Sequence, residues 1–222
     1  MKYAIRPMHI EDVSQVTEID REAFPTLEPH TSFKRELNNK LARYIIAYDT
    51  SIPVNEKNSN DSDNNSRVDK ILCGIKHIFT PPTTKQLIAG FVGIWFLVDE
   101  AHIITVAVRE QLRNKSIGKL LLVAAADIAA ENKANFLTLE VRASNVTAQT
   151  LYEKFGFIRR GERLGYYTDT KENAIIMTTE PIFNASFKEN IDKIKKHLPD
   201  GWYDSYTNSQ QCSIIRPNME EK

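Results

Sequence analysis

The sequence predicts an α/β domain, on three observations. Runs rich in β-branched and aromatic residues, such as 44–48 and 136–141, have the content of strands. Between them lie segments whose apolar residues recur at helical spacing, foremost 10–23 and 117–131. With 41% hydrophobic and 26% charged residues over 222 positions, the chain can bury the core of one domain with appendages and is neither wholly disordered nor fibrous.

Taken in order, Tyr3 and Ile5 alternate with polar neighbours before Pro7 and predict a short first strand. Ile10, Val13, Val16, Ile19 and Ala23 form a helical stripe, with Glu11 and Asp12 where a helix N-terminus favours acids. Pro25 and Pro29 end it, and Ser32 is placed to cap a short helix carrying Phe33, Leu37 and Leu41. Positions 51–86 read as an insertion. Its first part, 51–70, is Asn, Ser and Asp with hardly an apolar residue, too little to offset the entropy of ordering, and is predicted to be disordered. Ile71, Leu72, Ile75, Ile78 and Phe79 then make one face of a short helix, ended by Pro81 and Pro82.

The apolar run 87–98 is a buried strand, since Gly90 and Gly93 argue against a helix, and 99–101 turns into a second strand over 102–108. A Leu- and Ala-rich helix covers 117–131, followed by a strand over 136–141 and a helix over 148–155 that stops at Gly156, where a left-handed residue is wanted. Tyr166 and Tyr167 precede a loop, and 174–178 closes the series as a last strand. Residues 1–180 therefore read as the domain. Beyond Pro181, Phe183, Phe187, Ile191, Ile194 and Leu198 repeat at helical spacing among lysines, which marks 181–222 as an extension made of an amphipathic helix and a polar tail.

Composition excludes several classes of function. The 29 basic and 29 acidic side chains cancel, so there is no electrostatic case for nucleic acid or an anionic membrane as the partner. Cys73 and Cys212 are too few for a disulfide framework and stand near no zinc-ligand spacing, so no metal is expected. The first residues lack the apolar core of a signal peptide, and the run 87–98 falls short of the roughly 20 residues a bilayer span needs. The expectation is a soluble protein of the cytoplasm.

The chemistry concentrates where the strand at 102–108 runs through a short basic loop into the helix at 117–131. Unpaired amides at that helix start carry about half a positive charge and suit a pyrophosphate. The loop has neither the glycine spacing of a Walker A sequence nor that of a dinucleotide fingerprint. Taken alone, such a loop is also an ordinary solvated turn.

Arg113, Ser116 and Gly118 resemble the Q/R-x-x-G-x-G/A loop of the GCN5-related N-acetyltransferases, GNAT for short. The block Leu139-Glu140-Val141-Arg142-Ala143-Ser144-Asn145 and the later Leu151-Tyr152-Glu153-Lys154-Phe155-Gly156-Phe157 are similar to the RimI group, which acetylates protein N-termini, typically an alanine of a ribosomal protein. Tyr166-Tyr167 and 174–177 resemble its C-terminal signature. The resemblance implies a mixed, mostly antiparallel sheet flanked by helices and splayed near Val108. Acetyl-CoA would enter on one side and an acceptor protein N-terminus on the other. It implies that Val106, Ala107 and Val108 hydrogen-bond the pantetheine arm, and that Arg113, Asn114, Lys115, Ser116, Ile117, Gly118 and Lys119 wrap the pyrophosphate. It also implies that Asn145 contacts the coenzyme, Glu140 acts as base, Tyr152 as acid, and Tyr166 and Tyr167 lie beside the acceptor. Ser116 departs from the family glycine; if that position needs a positive φ, a non-glycine residue costs about 1–2 kcal/mol.

The chemistry agrees with these roles. An α-amine, with a pKa near 7.7–8.0, is about one-tenth neutral at pH 7, so it needs only a modestly raised base, and a glutamate acting through water suffices. A reference tyrosine lies above a thiol, so protonating the leaving thiolate is uphill by about 2 kcal/mol and hydrogen bonding is enough. Each residue has a plainer reading. Glu140 could pair with Arg142 or with another strand's cation, Tyr152 could be a core tyrosine, and Asn145 could cap the next helix. Tyr166 and Tyr167 could be packing residues, and Glu100 and His102 are rival bases. Three other readings stay open: acetylation of a lysine or small amine, coenzyme binding without catalysis, and an adaptor working through the extra helices.

Overall fold

The structure, a computed structural model, describes residues 3–26, 29–51 and 86–198. The disordered stretch expected at 51–70, the helix expected at 71–79 and the tail beyond Leu198 lie outside these residues, apart from Ser51. Seven strands make one sheet in the order β1-β2-β3-β4-β5-β7-β6. They are β1 (Tyr3–Pro7), β2 (Ala42–Asp49), β3 (Ile88–Leu97), β4 (Glu100–Val108), β5 (Phe136–Arg142), β6 (Phe157–Tyr167) and β7 (Glu172–Thr179). Only β4 and β5 pair in parallel; every other pair is antiparallel.

Helices cover both faces. Helices α1 (Val13–Ala23) and α2 (Phe33–Glu36) bury Val16, Ile19 and Phe33 against Tyr44, Ile46, Phe91 and Ala107. On the other face lies α3 (Ile117–Glu131), whose apolar residues bury almost all round, as a central helix should. Helix α4 (Val146–Lys154) and helix α5 (Ala185–Lys196) flank it; Phe187, Ile191 and Leu198 of the C-terminal stretch share the α3 core. Lys195 Nζ meets Asp127 of α3 at 2.7 Å.

The strands part in the middle of the sheet. Pairing between β4 and β5 runs only from Glu100 opposite Phe136 to Ile103 opposite Leu139. Just beyond, Gly93 faces Thr105 while Ile94 faces Ile103, so Ile104 is an extra residue, a bulge that re-aims β4. From there β4 follows β3 to Val108 while β5 follows β7 to Arg142, and a wedge opens between them. The expected splay is present, and it begins after Ile103 rather than at Val108.

Three local expectations need correction. Glu100 and Ala101 belong to β4, and the turn is made by Val98 and Asp99, with Val98 at φ 54°. The second helix stops at Glu36, leaving Leu41 exposed. Strand β6 was not expected at all. It is an edge strand whose residues are mostly exposed, so it carries no alternating apolar pattern to read.

Gly93 sits beside the bulge because the ring of Tyr44 lies over it. A Cβ there would stand 2.5 Å from that ring, which is buried at 5% exposure. Gly93→Ala should therefore lower the unfolding free energy by about 1–3 kcal/mol, read from urea melts. An unchanged midpoint would contradict the packing.

Candidate active site

The wedge exposes one edge of β4. The Arg109 amide donates to Ala89 O at 2.9 Å, toward β3. By strand alternation Ala107 also faces β3, whereas Val106 and Val108 turn their N–H and C=O groups to the side that β5 has left. Arg113 Nε reaches Val108 O from that side at 3.4 Å.

Past β4 the chain makes a short 3₁₀ turn and enters α3 through Ser116, which is left-handed at φ 61° and ψ 9°. The first intrahelical bond is from Leu120 N–H to Ser116 O, at 3.0 Å. The amides of Ile117, Gly118 and Lys119 thus have no helical acceptor, and no side chain caps this end. Arg113, Asn114, Lys115 and Lys119 stand exposed around it, Asn114 also at positive φ. A Cβ on Gly118 would lie 3.6 Å from Leu151, which seats α4 against the first turn of α3. Donors converging at a helix start, ringed by cations, suit a diphosphate.

Strand alternation in β5 sends Leu137, Leu139 and Val141 into the α3 core and Glu140 to the opposite face. There the Glu140 side chain, 8% exposed, is held by a histidine and an arginine. Oε2 lies 2.6 Å from His102 Nε2, and Oε1 lies 3.1 Å from Arg163 Nη2. The His102 hydrogen bond is the largest influence on its pKa, and with the charges of His102 and Arg163 it outweighs burial. The carboxyl is held below its ordinary value of 4.5. A modestly raised base was expected at this position; the structure reverses the direction. The expected alternative partner, Arg142, is instead bound to Asp169 at 2.7 Å and to Glu172 at 3.5 Å.

Tyr152 projects from α4 with its ring 5.8 Å from that of Phe157, and burial of its hydroxyl pushes its pKa up to about 12. Tyr167 donates a hydrogen bond to Glu140 O at 3.4 Å and lies under the Arg142 guanidinium, 4.0 Å from ring centre to Cζ. Its pKa is also about 12, raised chiefly by burial; Arg142 lowers it, while Tyr166, Glu140 and Tyr152 push it up. Its phenol is therefore within electrostatic reach of both Glu140 and Tyr152. Tyr166 packs edge-on against it at 5.2 Å and is exposed. Asn145 caps α4, its Oδ1 accepting from the Ala148 amide at 3.1 Å, which leaves the Asn145 NH₂ for another acceptor.

The fold thus gathers Glu140, His102, Tyr152 and Tyr167 at the wedge, with the residues from Arg113 to Lys119 at the start of α3. Sequence reasoning missed Arg163 because it missed β6. It also missed Asp169, which receives hydrogen bonds from Arg142 and the Thr26 hydroxyl and so ties the chain after α1 to the turn between β6 and β7. Among the described residues no cluster of three or more His, Cys, Asp or Glu could hold a metal, and no helix is long and apolar enough to cross a membrane.

Residues 64–157 match the model of the acetyltransferase (GNAT) family. A Bacillus subtilis (strain 168) protein, named as a putative ribosomal protein bS18-alanine N-acetyltransferase, is 33% identical over 177 residues, covering 79% of this chain and 94% of its own length. The chain belongs to the GNAT family. Among solved structures, this GNAT enzyme is similar to the ribosomal-protein-S18-alanine N-acetyltransferase from Escherichia coli. That match has a TM-score of 0.56 at 23% identity, covering 81% of this chain and 94% of the other. It is also similar to a chain of the NatC complex bound to Gag peptide and CoA, with a TM-score of 0.55 at 22% identity and coverage of 81% and 99%. Both likenesses show the GNAT fold. The protein is an acetyl-CoA-dependent N-acetyltransferase of this family.

Two predictions follow from the geometry. Because Ser116 is left-handed, Ser116→Gly should raise stability by about 1 kcal/mol in a denaturant melt, and a loss would show that the serine side chain is needed there. Because the Glu140 pKa is lowered, its contribution to stability is present above pH 4.5 and lost as the pH falls through the folded value. The stability gap between wild type and Glu140→Gln should accordingly narrow on acidification below pH 4.5. A gap independent of pH there would remove the ion-pair account.

Proposed function

We propose that the chain moves the acetyl group of acetyl-CoA to the α-amine of a protein N-terminus, with an alanine of a ribosomal protein, as in the name of the 33% identical relative, as the acceptor. Residues 1–180 form the acetyltransferase domain and 181–222 an extension to it. An acceptor that is a component of the ribosome would place the reaction in the cytoplasm. The observation that carries the reading is the wedge itself. It offers an open strand edge for the coenzyme, a buried carboxylate on one face and the partly buried phenol of Tyr152 on the neighbouring helix.

The residues divide the work. The Val106 and Val108 main chain, with the adjoining Ala107, takes the amide groups of the pantetheine arm, and one of the two amides donates to the carbonyl oxygen as charge builds there. Arg113, Asn114, Lys115, Ser116, Ile117, Gly118 and Lys119 hold the diphosphate, and Asn145 reaches the coenzyme through its free NH₂. Glu140 stays ionised at neutral pH and accepts hydrogen from the amine, directly or through water. The amine needs little help, being about one-tenth neutral already, and its remaining protons become strongly acidic once nitrogen bonds to carbon. A carboxylate held low therefore still serves as the acceptor, and His102 fixes its orientation. Tyr152, at about 12, is some 3.5 units above a free thiol, so giving up its proton would be uphill by about 5 kcal/mol. It acts by donating a hydrogen bond to the departing sulfur. Tyr166 and Tyr167 line the acceptor side.

Incubation with acetyl-CoA and peptides bearing free or blocked N-termini, read by mass spectrometry, tests the acceptor. Transfer to free N-termini alone is expected, and transfer only to lysine side chains would overturn the reading. Glu140→Gln should lower kcat at least about 100-fold and Tyr152→Phe about 10- to 100-fold, both without loss of folding. Unchanged turnover in both would remove the mechanism.

A further inference from the structure

The two oxygens of Glu140 have different holders. His102, on β4, lies 2.6 Å from Oε2, and its side chain is 20% exposed. Arg163, on the edge strand β6, lies 3.1 Å from Oε1, and its side chain is 53% exposed. The reach from β6 is possible because of what stands between. Glu140 is in register with Ile176 of β7, and Ile176 with Gly161 of β6, which has no side chain. Arg163, the next residue of β6 on that face, crosses β7 to the carboxylate, with its Cζ 5.4 Å from the Tyr166 ring centre. An ion pair this exposed adds little to stability. Its consequence falls instead on any charge that arrives beside Glu140.

We infer that Arg163 is a charge-balancing positioning residue: by sharing Glu140 it keeps the carboxylate from holding the arriving α-amine as an ammonium, the form that cannot attack acetyl-CoA. The inference rests on the proposed acceptor and on Glu140 as its hydrogen acceptor. A carboxylate alone beside the amine stabilises the protonated form, whereas a guanidinium on the same carboxylate offsets that attraction and repels the ammonium. An α-amine is about one-tenth neutral at pH 7, so moving its balance by about one pH unit cuts the reactive fraction about tenfold. No other group facing Glu140 fills this part. His102 is committed to Oε2, and Ile176 of β7 is apolar. Tyr167 of β6 and Tyr152 of α4 stay protonated and uncharged in the neutral range. Arg142, on the same strand as Glu140, is bound to Asp169 and Glu172.

Single-turnover acetylation of a peptide with a free N-terminus, at saturating peptide and read by mass spectrometry, tests this from about pH 6 to pH 9.5, since its pH dependence reports ionisation in the bound complex. Arg163→Gln and Arg163→Met remove the charge at a half-exposed position, and Arg163→Lys keeps it. In both charge-free variants the midpoint of the rise in rate should move up by about 0.5–1 pH unit. The rate should be about 3- to 10-fold lower at pH 7 and near wild type on the alkaline plateau. Arg163→Lys should bring the midpoint most of the way back. A midpoint that stays in place or moves down in either charge-free variant overturns the assignment, whatever happens to the rate, while transfer by wild type leaves the acceptor reading intact. Failure of wild type to acetylate any free N-terminus brings down both.

Discussion

The parting of β4 from β5 after Ile103 and Leu139 is the constraint on which the rest depends. A sheet interior normally leaves no main-chain donor or acceptor unpaired, because a buried unpaired group costs about as much as a lost hydrogen bond. Here the bulge at Ile104 turns β4 along β3 and strips β5 from it, so Val106 and Val108 turn their amides to an edge that β5 no longer covers, in the middle of the molecule rather than at its rim. An extended ligand carrying amides satisfies such an edge as an added strand would. The same displacement puts the end of β4 and the start of α3 in sequence, so the open edge leads straight to the uncapped amides of Ile117, Gly118 and Lys119. One backbone irregularity thus aligns the open strand edge with the uncapped helix start, the arrangement on which the proposed coenzyme reading rests.

The electrostatics of the wedge favour fixed charge over mobile protons. Glu140 is buried, held low by His102 and Arg163, and so is negative throughout the neutral range. Tyr152 and Tyr167 are both pushed up to about 12, and so remain protonated donors. A site of this kind stabilises developing charge through groups already in place, which suits an amine that is partly neutral from the outset. The corrected direction at Glu140 strengthens this view. A carboxyl raised far enough to hold a proton at neutral pH could not, in that form, serve as the proposed hydrogen acceptor.

Much of the fold was legible where burial imposes a pattern. Helix α3 has the bounds read from its Leu and Ala content, and β3 and β5 agree with their apolar runs to within a residue or so, because all three lie between other layers. Gly156 adopts φ 85° at the end of α4, as its place after the helix suggests. Strand β6 was illegible for the converse reason: with residues such as Arg159, Glu162 and Leu164 in solvent, its pairing with β7 leaves no periodicity behind. The missing strand hid Arg163, and with it the second of the two side chains that hold the Glu140 carboxylate. The bulge at Ile104 was equally hidden, since a single inserted residue in an apolar strand changes register and not composition. Glu140, Tyr152 and Asn145 could be singled out by their local motif, whereas their partners are set by pairing between strands far apart in sequence.

The central claim is that the β4 edge is open in the free protein and is closed by the coenzyme. Amide hydrogen exchange at Val106 and Val108, followed by NMR with and without coenzyme A, tests it most directly. The account predicts rapid exchange at both amides in the free protein and strong protection once coenzyme A is bound, with the β3-facing amides of Ala107 and Arg109 protected throughout. Protection of Val106 and Val108 in the free protein, or exchange that coenzyme A leaves unchanged, would contradict it.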